Sequence, residues 1–418
     1  MPSGSAGSAT GPEMVGAGIM RRSDHAAAGS AAMIGLVVLV GLNLRPFLTA
    51  TGPLTAAILA STGMTLQGMA LLTLVPMLLM GLCAFAGPAV QSAFGVRSAM
   101  LWALLLLAAG SLARRWTSDG LGLVATAAAL GLGVAVVQAV FPAVLKHHFP
   151  HRLAVVTGLY SAMLMGGGAL GARLSPIIAG AADDWHMGLA WLAVPALVAA
   201  IAALLVLPPA ERGDDAPAIS ARALLRRPRM WLLMASFGLI NGGYSSIIAW
   251  LPPFYQERGW SAAASGGLLA MMAFAQAIAA LLCPMAARRR DRRGWLWFTM
   301  TLQAIGFAGL AAAPDLAPTL WALSVGAGLG GCFALSMVVA LDHLPDAARA
   351  GALAAVMQGG GFLLAAIAPW VVALLHERSG GFVAGWVMHF DNVGIVAILT
   401  VRLAPRSYER AFAGTPPR

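Results

Sequence analysis

Charged residues are scarce in this chain. Only 10% of its 418 residues are Asp, Glu, Lys or Arg, whereas an ordinary soluble domain has about 25%. Hydrophobic residues make up 59% of the chain, and the mean hydropathy is +0.81. A soluble fold could not bury that much apolar surface. The composition therefore excludes an ordinary soluble protein and predicts an integral membrane protein.

Residues in catalytic or metal-binding patterns are also missing. The three cysteines, Cys83, Cys283 and Cys332, have no CxxC or Cys/His spacing, which argues against a disulfide framework and against a zinc site. The chain lacks Gly-x-Ser-x-Gly, His-Glu-x-x-His and phosphate-loop motifs, which hydrolases, metalloproteases and ATP-driven pumps would carry. We therefore expect no metal, no cofactor and no enzymatic activity.

Long apolar runs recur along the whole chain. About 18 to 20 apolar residues cross a hydrocarbon core of about 30 Å as a helix, so each such run is a candidate span. We predict an all-α membrane protein with twelve transmembrane helices. The predicted spans are 31–50, 66–87, 98–113, 121–145, 153–180, 187–207, 230–252, 264–286, 295–313, 318–341, 351–375 and 384–403.

The net charge of +10 is interpreted as a topology signal and not as nucleic-acid binding. If the N-terminus is cytoplasmic, most of the 26 Lys and Arg residues lie on the cytoplasmic side, as the positive-inside rule requires. We therefore predict that both termini lie in the cytoplasm, and we expect the bacterial plasma membrane as the location. Arg114 and Arg115 are a local exception to that rule.

The rest of the chain fits two bundles of six helices. Residues 1–28 are rich in Gly, Ser and Ala and are predicted to be a disordered cytoplasmic tail, not a signal peptide. We predict bundles at 29–207 and 230–404, a polar cytoplasmic loop at 208–229 whose arginines suit the anionic inner leaflet, and a C-terminal tail at 405–418.

An internal repeat supports this division. Residues 158–176 align without gaps with residues 351–369, and the glycine triplets at 166–168 and 359–361 coincide. The fifth span therefore repeats as the eleventh, which is typical of carriers built by duplication of a six-helix unit. Glycines in such helices allow close backbone approach, either for moving surfaces or for static packing.

Arg45 is the most informative single residue, because it lies in Asn43-Leu44-Arg45-Pro46 within the first span. A guanidinium inside a membrane helix costs about 2.5 to 3.5 kcal/mol on insertion scales, so it is seldom kept there without a partner or ligand. Pro46 removes a backbone donor at the same place and frees carbonyls one turn earlier. We interpret Arg45 as the centre of an anion-binding site.

Motifs in both halves carry a family resemblance. They are Asn43-Leu44-Arg45-Pro46 leading to Gly52-Pro53-Leu54, Gly238-Leu239-Ile240-Asn241-Gly242-Gly243-Tyr244, Ala249-Trp250-Leu251-Pro252, Leu341-Asp342-His343 and Met357-Gln358-Gly359. From about residue 31 to 405, the chain resembles the cyanate and 2-nitroimidazole transporters of the major facilitator superfamily. The resemblance implies two pseudo-symmetric six-helix bundles, a central cavity, alternating access and cyanate as the substrate of one relative.

A cyanate site needs one fixed positive charge, a few hydrogen-bond donors and an apolar wall, because cyanate is a small linear monovalent anion. Arg45 supplies the charge. Asn43 is two residues away and serves only if Pro46 distorts the helix or if it braces a neighbour. Asn241 and Tyr244 are three residues apart and share a helix face. The candidate donors are Asn43, Asn241, Tyr244, Gln138 and Gln358, each with a helix-to-helix hydrogen bond as the alternative.

Acidic residues are missing from the middle of the first, fourth, seventh and tenth spans. Asp342 with His343, and Asp391 with His389, are the candidate proton-coupling pairs, since histidine titrates near neutral pH. A helix-end latch is the alternative for Asp342. Arg173 is a second intramembrane charge, for substrate access or for an interfacial pairing with a nearby acid. Proton symport, anion exchange and facilitated diffusion all stay open.

We therefore expect a secondary active or facilitative transporter that moves a small monovalent anion such as cyanate. Its partners would be that solute and the lipid bilayer, with no nucleic acid, and it would act as a monomer. The alternative with the same fold is an efflux carrier for small aromatic or drug-like compounds such as 2-nitroimidazole. Such a carrier would have a wide cavity lined by Met and aromatic side chains.

Overall fold

The computed structural model describes residues 30–85, 94–150, 152–208 and 221–412. Twelve helices in these ranges are long and apolar enough to cross a membrane, and the described residues contain no strand. The predicted all-α fold with twelve spans is therefore confirmed. The predicted tail at 1–28 and most of the loop at 208–229 lie outside the described residues.

We number the spans α1 to α12 in chain order. Short helical turns at Ala221–Leu225, Pro405–Ser407 and Tyr408–Phe412 lie outside the spans. The spans are α1 Ser30–Thr62, α2 Leu66–Cys83, α3 Val96–Ala113, α4 Gly120–His148, α5 Leu153–Ala182, α6 Trp185–Val206, α7 Pro228–Gln256, α8 Ala262–Ala286, α9 Arg293–Ala312, α10 Pro318–Leu341, α11 Ala347–Ser379 and α12 Val383–Thr400.

Polar caps fix where several spans begin. A side-chain oxygen of the residue before the helix accepts a hydrogen bond from a free backbone N–H in the first turn, which stabilises a helix by about 1 kcal/mol. A left-handed glycine closes α1 at Gly63 and α11 at Gly380, where only glycine adopts a positive φ without strain. The capping residues are Thr65 for α2, Asp119 for α4, Ser261 for α8 and Asp346 for α11.

The first span is longer and more broken than the sequence predicts. It continues to Thr62 as a helix at 30–43, a bend at residues 44 and 45, and then the short segments Pro46–Thr49, Gly52–Leu54 and Thr55–Thr62. A proline lies at the start of two of these segments. Since proline has no N–H and suits the first turn of a helix, each one ends the preceding hydrogen-bond ladder and begins a new segment.

The helices form two bundles whose interface runs between repeat-related elements. In each half the first and fifth helices pack together, as α1 with α5 and α7 with α11. Between the halves, α2 packs on α11 and α5 packs on α8. These exchanged contacts place α1 and α7 opposite each other on the axis between the bundles.

Two side-chain hydrogen bonds join the bundles at one face of the molecule. We call the face at which α1 begins and α12 ends the terminus face. At the opposite face, Gln256 donates a hydrogen bond to the Pro53 carbonyl across the bundles at 2.9 Å, and Gln67 donates to Glu377 at 2.6 Å. Over the described residues, α4 and α10 form no comparable interface at the terminus face.

Candidate functional site

Arg45 lies at the break of α1, near the midpoint of the span. It precedes the Pro46–Thr49 segment with φ −114° and ψ −23°, and its carbonyl accepts hydrogen bonds from the backbone N–H groups of Leu48 and Thr49 at 3.1 and 3.3 Å. Because Pro46 has no N–H, the carbonyl four residues before it loses its usual helical donor. Arg45 is 5% exposed, so the break holds a buried charge.

Glycines of α5 allow the broken helix to lie directly against α5. A Cβ atom added to Gly167 would lie 2.2 Å from the Leu42 carbonyl oxygen, and one on Gly171 would lie 2.6 Å from Pro46 Cα. Neither position could hold a larger residue without a backbone shift. The Thr49 hydroxyl also donates to the Gly168 carbonyl at 2.7 Å. The backbone of α5 therefore fixes the position of Arg45.

The guanidinium of Arg45 has free hydrogen-bond donors. Its Nε and Nη1 atoms are buried and have no hydrogen-bond partner. Among the described residues, no carboxylate forms an ion pair with it within 4 Å. A guanidinium presents its N–H groups in a planar fork that suits oxygen and nitrogen acceptors of anions. The arrangement can therefore receive an anion in the guanidinium plane.

Tyr244 of the opposite bundle lies against the same side chain. The Cζ atom of Arg45 is 4.8 Å from the centroid of the Tyr244 ring, and Tyr244 lies near the midpoint of α7. A cation over an aromatic face gains about 2 kcal/mol when both are desolvated. The Nε and Nη1 atoms of Arg45 keep no hydrogen-bond partner beside this ring, so Tyr244 forms one wall of the site.

Tyr160 is a component that we did not predict from the sequence. It lies on α5 directly beside α1, since a Cβ atom added to Gly41 would lie 3.1 Å from the Tyr160 carbonyl oxygen, and its phenol is within electrostatic range of Arg45. The Tyr160 hydroxyl is buried without a hydrogen-bond partner, and its ring packs against Phe141 of α4 at 5.3 Å. Two features of the sequence could have indicated Tyr160. It is one of only 4 tyrosines in the chain, and it lies in a glycine-rich span.

Asn43 braces the N-terminal bundle. Its side-chain nitrogen donates to the Leu39 carbonyl at 2.8 Å and to the Pro195 carbonyl of α6 at 3.1 Å. Both amide hydrogens are thereby used. Asn43 faces a small cavity inside the bundle that Ser111 also lines. The geometry therefore supports the bracing alternative and corrects the prediction that Asn43 donates to a substrate.

The other predicted donors have different surroundings. Asn241 is buried, and its side-chain nitrogen donates to the Phe237 carbonyl in its own helix at 2.8 Å. Tyr244, one turn further along α7, is the residue that contacts Arg45. Gln138 in α4 and Gln358 in α11 are both half-buried. The substrate-binding roles of these two glutamines stay predictions.

Arg173 contacts the opposite bundle, which differs from the predicted pairing with an acid. Its Nη1 atom donates to the Ala263 carbonyl at the start of α8 at 3.2 Å. A Cβ atom added to Gly267 would lie 3.1 Å from that nitrogen, so the small residue leaves room for the guanidinium. Arg173 is itself exposed. Its position is at the α5–α8 contact, apart from Arg45.

Asp184 pairs with Arg115, one of the two arginines that depart from the positive-inside rule. Arg115 forms an ion pair with Asp184 at 3.2 Å, and His186 contacts the same carboxylate at 2.6 Å. Burial raises the pKa of Asp184, but the hydrogen bonds and the nearby positive charge outweigh it, so the pKa is lowered overall. Arg114 is fully buried, and its Nε donates to the Thr126 hydroxyl at 3.3 Å.

Asp342 and His343 form a junction at the terminus face. Asp342 accepts a hydrogen bond from Arg292 Nε at 2.7 Å, while His343 Nδ1 contacts the Val339 carbonyl at 2.6 Å. The His343 ring also stacks on Tyr408 at 3.9 Å. Burial lowers the pKa of His343 to about 4, so it is neutral near pH 7. This geometry supports the latch alternative and not a proton relay.

His389 and Asp391 do not form the predicted pair. His389 is 1% exposed and stacks on Phe307 at 5.3 Å, and neither ring nitrogen has a hydrogen-bond partner. Asp391 is exposed. Two residues apart on a helix point in nearly opposite directions, because each residue turns it by about 100°. The predicted coupling role of this pair therefore has no geometric support.

Comparisons with known proteins agree with this architecture. Residues 31–369 match the model of the Major Facilitator Superfamily. The chain is 42% identical over 373 residues to the cyanate transport protein CynX of Escherichia coli, covering 89% of this chain and 97% of that protein. It is 30% identical to the 2-nitroimidazole transporter of E. coli, covering 88% and 93%.

Solved structures show the same fold. A bacterial homologue of the human lysosomal transporter Spinster, in an inward-facing conformation, matches with a TM-score of 0.75 at 14% identity, covering 92% of this chain and 98% of that one. The inward-open xylose transporter XylE of E. coli matches with a TM-score of 0.74 at 14% identity, covering 90% and 96%. The chain therefore belongs to the Major Facilitator Superfamily, a family of multi-pass membrane transporters and not of enzymes.

Proposed function

We propose that this protein is a secondary carrier that moves a small monovalent anion such as cyanate across the bacterial inner membrane by alternating access. The observation that carries the proposal is Arg45, a buried guanidinium at mid-span with unpartnered Nε and Nη1 atoms. An uncompensated charge at that depth is costly, and a bound anion would offset the cost.

The groups around Arg45 suit a small anion with hydrogen-bond acceptors at its ends. The N–H fork of Arg45 would bind one end, and the free hydroxyl of Tyr160 would donate to the anion from the same bundle. The Tyr244 ring closes one side of the site. One positive charge is neutralised by one monovalent anion, whereas a divalent anion would leave an unpaired negative charge in a dry site.

The relatives support the substrate class. The protein that is 42% identical to this chain is named a cyanate transport protein. Cyanate suits the single positive charge of Arg45 and the two donor groups, the Arg45 guanidinium and the Tyr160 hydroxyl. The second candidate function is efflux of 2-nitroimidazole, the substrate in the name of the 30% identical relative. The rings of Tyr160 and Tyr244 offer surfaces on which an aromatic heterocycle could stack.

The orientation in the membrane follows from the distribution of charge. Most Lys and Arg residues lie toward the terminus face, and the positive-inside rule assigns that face to the cytoplasm. Both termini would then be in the cytoplasm. The bundles are tied together at the opposite face by Gln256 with Pro53 and by Gln67 with Glu377. The described arrangement would thus be closed toward the outside, and the carrier would act as a monomer.

Uptake into proteoliposomes tests the proposal. We would measure labelled cyanate uptake by the wild type, Arg45→Gln and Arg45→Lys, with Arg115→Gln as a matched control that removes an arginine outside the site. We expect Arg45→Gln to lose about 100-fold in uptake, since charged hydrogen bonds contribute about 1.5 to 3 kcal/mol each. Arg45→Lys should keep only weak uptake, because a point charge replaces a planar fork.

Each outcome has a distinct meaning. Full uptake by Arg45→Gln, in protein that unfolds at the wild-type temperature, would contradict the role of Arg45. An equal loss of uptake in Arg115→Gln would show that the effect is not specific to Arg45, which would contradict its role in binding the anion. A wild type that moves 2-nitroimidazole but not cyanate would replace the first candidate function with the second.

A further inference from the structure

We propose that this carrier works as an anion exchanger, in which the two bundles change orientation readily only while an anion occupies Arg45. The inference rests on the proposed function and adds the mode of transport. It is carried by Arg45, which has no carboxylate partner among the residues that the structure describes.

No internal group neutralises Arg45 in the described part of the chain. Its Nε and Nη1 atoms have no partner, and none of the described ion pairs includes it. Asp391 lies within α12 but is exposed. The other acids in the described ranges lie at span ends or outside the spans: Asp119, Asp183, Asp184, Glu257, Asp291, Asp315, Asp342, Asp346, Glu377 and Glu409.

The polar groups close to Arg45 are uncharged. Tyr160 and Tyr244 contribute phenol groups and no carboxylate. The hydroxyl of Thr49 already donates to the Gly168 carbonyl at 2.7 Å. The empty site therefore has a net charge of one positive unit, and a site with one bound monovalent anion has none.

Changing orientation requires that the site be closed to both sides for a moment. Arg45 and Tyr160 belong to the N-terminal bundle, while Tyr244 belongs to the C-terminal bundle and lies 4.8 Å from the guanidinium carbon. The two bundles together therefore enclose the charge. In that closed state little water is left to solvate it, and an uncompensated buried ion costs several kcal/mol.

This cost makes the empty carrier slow. Each 1.36 kcal/mol in the barrier lowers a rate about tenfold, so a penalty of several kcal/mol nearly stops the return of the empty carrier. A bound anion cancels the charge and removes most of the penalty. A carboxylate beside the arginine would remove it too, by forming an ion pair in the empty site. Without one, every anion that enters must be matched by one that leaves.

Counterflow under a clamped membrane potential tests the proposal. Proteoliposomes would be loaded either with unlabelled cyanate or with gluconate, a bulky anion, and given labelled cyanate outside. Potassium on both sides with valinomycin would hold the potential at zero, so that accumulated charge cannot limit net uptake. We expect initial uptake at least about tenfold faster into the cyanate-loaded vesicles.

Efflux gives the same test in the other direction. Labelled cyanate in preloaded vesicles should leave slowly into anion-free medium and quickly once external cyanate is added. Arg45→Lys should keep the ratio of exchange to net transport at a lower rate, because its charge stays uncompensated. Arg115→Gln should match the wild type in both rate and ratio. An imposed pH gradient should change neither rate, since no described acid faces the site.

The possible failures are distinguishable. Equal uptake into cyanate-loaded and gluconate-loaded vesicles would overturn the exchange mechanism and leave the proposed substrate intact. Net uptake driven by a pH gradient would overturn it as well, in favour of proton symport. No cyanate uptake in any arrangement, by protein that reconstitutes and unfolds cooperatively, would instead refute the proposed function.

Discussion

The contact of α1 with α5 and the contact of α7 with α11 are repeat-related, yet they differ where the function is placed. Both use a hydroxyl to join the helices: Thr49 donates to the Gly168 carbonyl at 2.7 Å, and Ser245 donates to the Ala365 carbonyl at 2.8 Å. In both, glycines of the triplet lie at the contact: Gly167 and Gly168 of α5 against α1, and Gly360 and Gly361 of α11 against α7. The duplicated scaffold has therefore kept the same type of tie in each half.

The difference lies in what each glycine faces. A Cβ atom on Gly167 would meet the Leu42 carbonyl oxygen at 2.2 Å, which is backbone, whereas one on the equivalent Gly360 would meet the end of the Met234 side chain at 2.0 Å. In the N-terminal half α1 is broken at Arg45, while α7 is one helix. In the N-terminal half, Arg45 is therefore held against the backbone of α5. In the C-terminal half, α7 packs on α11 through a flexible methionine and supplies the Tyr244 ring that contacts Arg45.

Matched glycine substitutions would break this comparison most strongly. We expect Gly167→Ala to destabilise the protein by about 3 kcal/mol and to abolish uptake, because the new methyl group must displace backbone. Gly360→Ala should cost less than about 1 kcal/mol, since a methionine side chain can move aside. Thermal unfolding of the purified variants in detergent measures both. Equal destabilisation would show that the two contacts are equivalent.

The same substitution at the two tyrosines sharpens the comparison at the site. Tyr160→Phe removes the free hydroxyl and should raise the KM for cyanate about tenfold or more, since a hydrogen bond to a charged group contributes about 1.5 to 3 kcal/mol. Tyr244→Phe keeps the ring that covers Arg45 and should change the KM by less than about threefold. Initial uptake rates over a range of cyanate concentrations give both constants. The opposite order would assign the hydroxyl donor to the C-terminal half.

Removing the two hydroxyl ties should have smaller and similar effects on stability. Thr49→Val and Ser245→Ala each remove one buried side-chain hydrogen bond and should cost about 1 kcal/mol. Only Thr49→Val should also lower uptake, because Thr49 lies in the segment that follows Arg45. Unfolding temperature and uptake would be measured on the same preparations. A loss of uptake in Ser245→Ala alone would contradict this division.

The smallest effect on transport concerns residues 405–412, the C-terminal segment that packs on the terminus face through the stacking of Tyr408 on His343. Burial lowers the pKa of His343 to about 4, below the ordinary value of about 6.5, so protonation favours the detached segment. Docking is complete above pH 6.5 and weakens as the pH falls toward 4, by up to about 1.4 kcal/mol per pH unit. Hydrogen exchange of residues 405–412 at pH 7.5 and pH 5 measures this. His343→Phe should abolish the pH dependence and leave uptake unchanged.

The membrane spans could be predicted because each one is a local property. Hydropathy over about 20 residues identifies a span without any knowledge of its neighbours, and all twelve predicted spans correspond to helices. The predicted end of the first span at residue 50 was wrong. Pro46 and Pro53 interrupt the helix, but the span continues to Thr62. Arg45 stood out for the same local reason, as a charge in an apolar run.

The surroundings of Arg45 could not be predicted in the same way. Tyr160 lies in a different span, and no local pattern shows that α5 packs directly on α1. Asn43 looked equivalent to any polar residue near Arg45, yet its partner, the Pro195 carbonyl, lies on α6. Such assignments depend on helix rotation and on contacts between distant segments.

The sequence by itself determined that this is a twelve-span membrane protein, built by duplication and with one arginine at mid-depth, because hydropathy, repeats and an isolated charge are visible in the linear order of residues. Only the tertiary structure decided that Arg45 has no counter-ion among the described residues, that Tyr244 of the opposite bundle lies against it, and that Asp391 is exposed while His389 is buried. The physical reason is that the energy of a buried charge depends on which groups lie within a few ångströms of it in space.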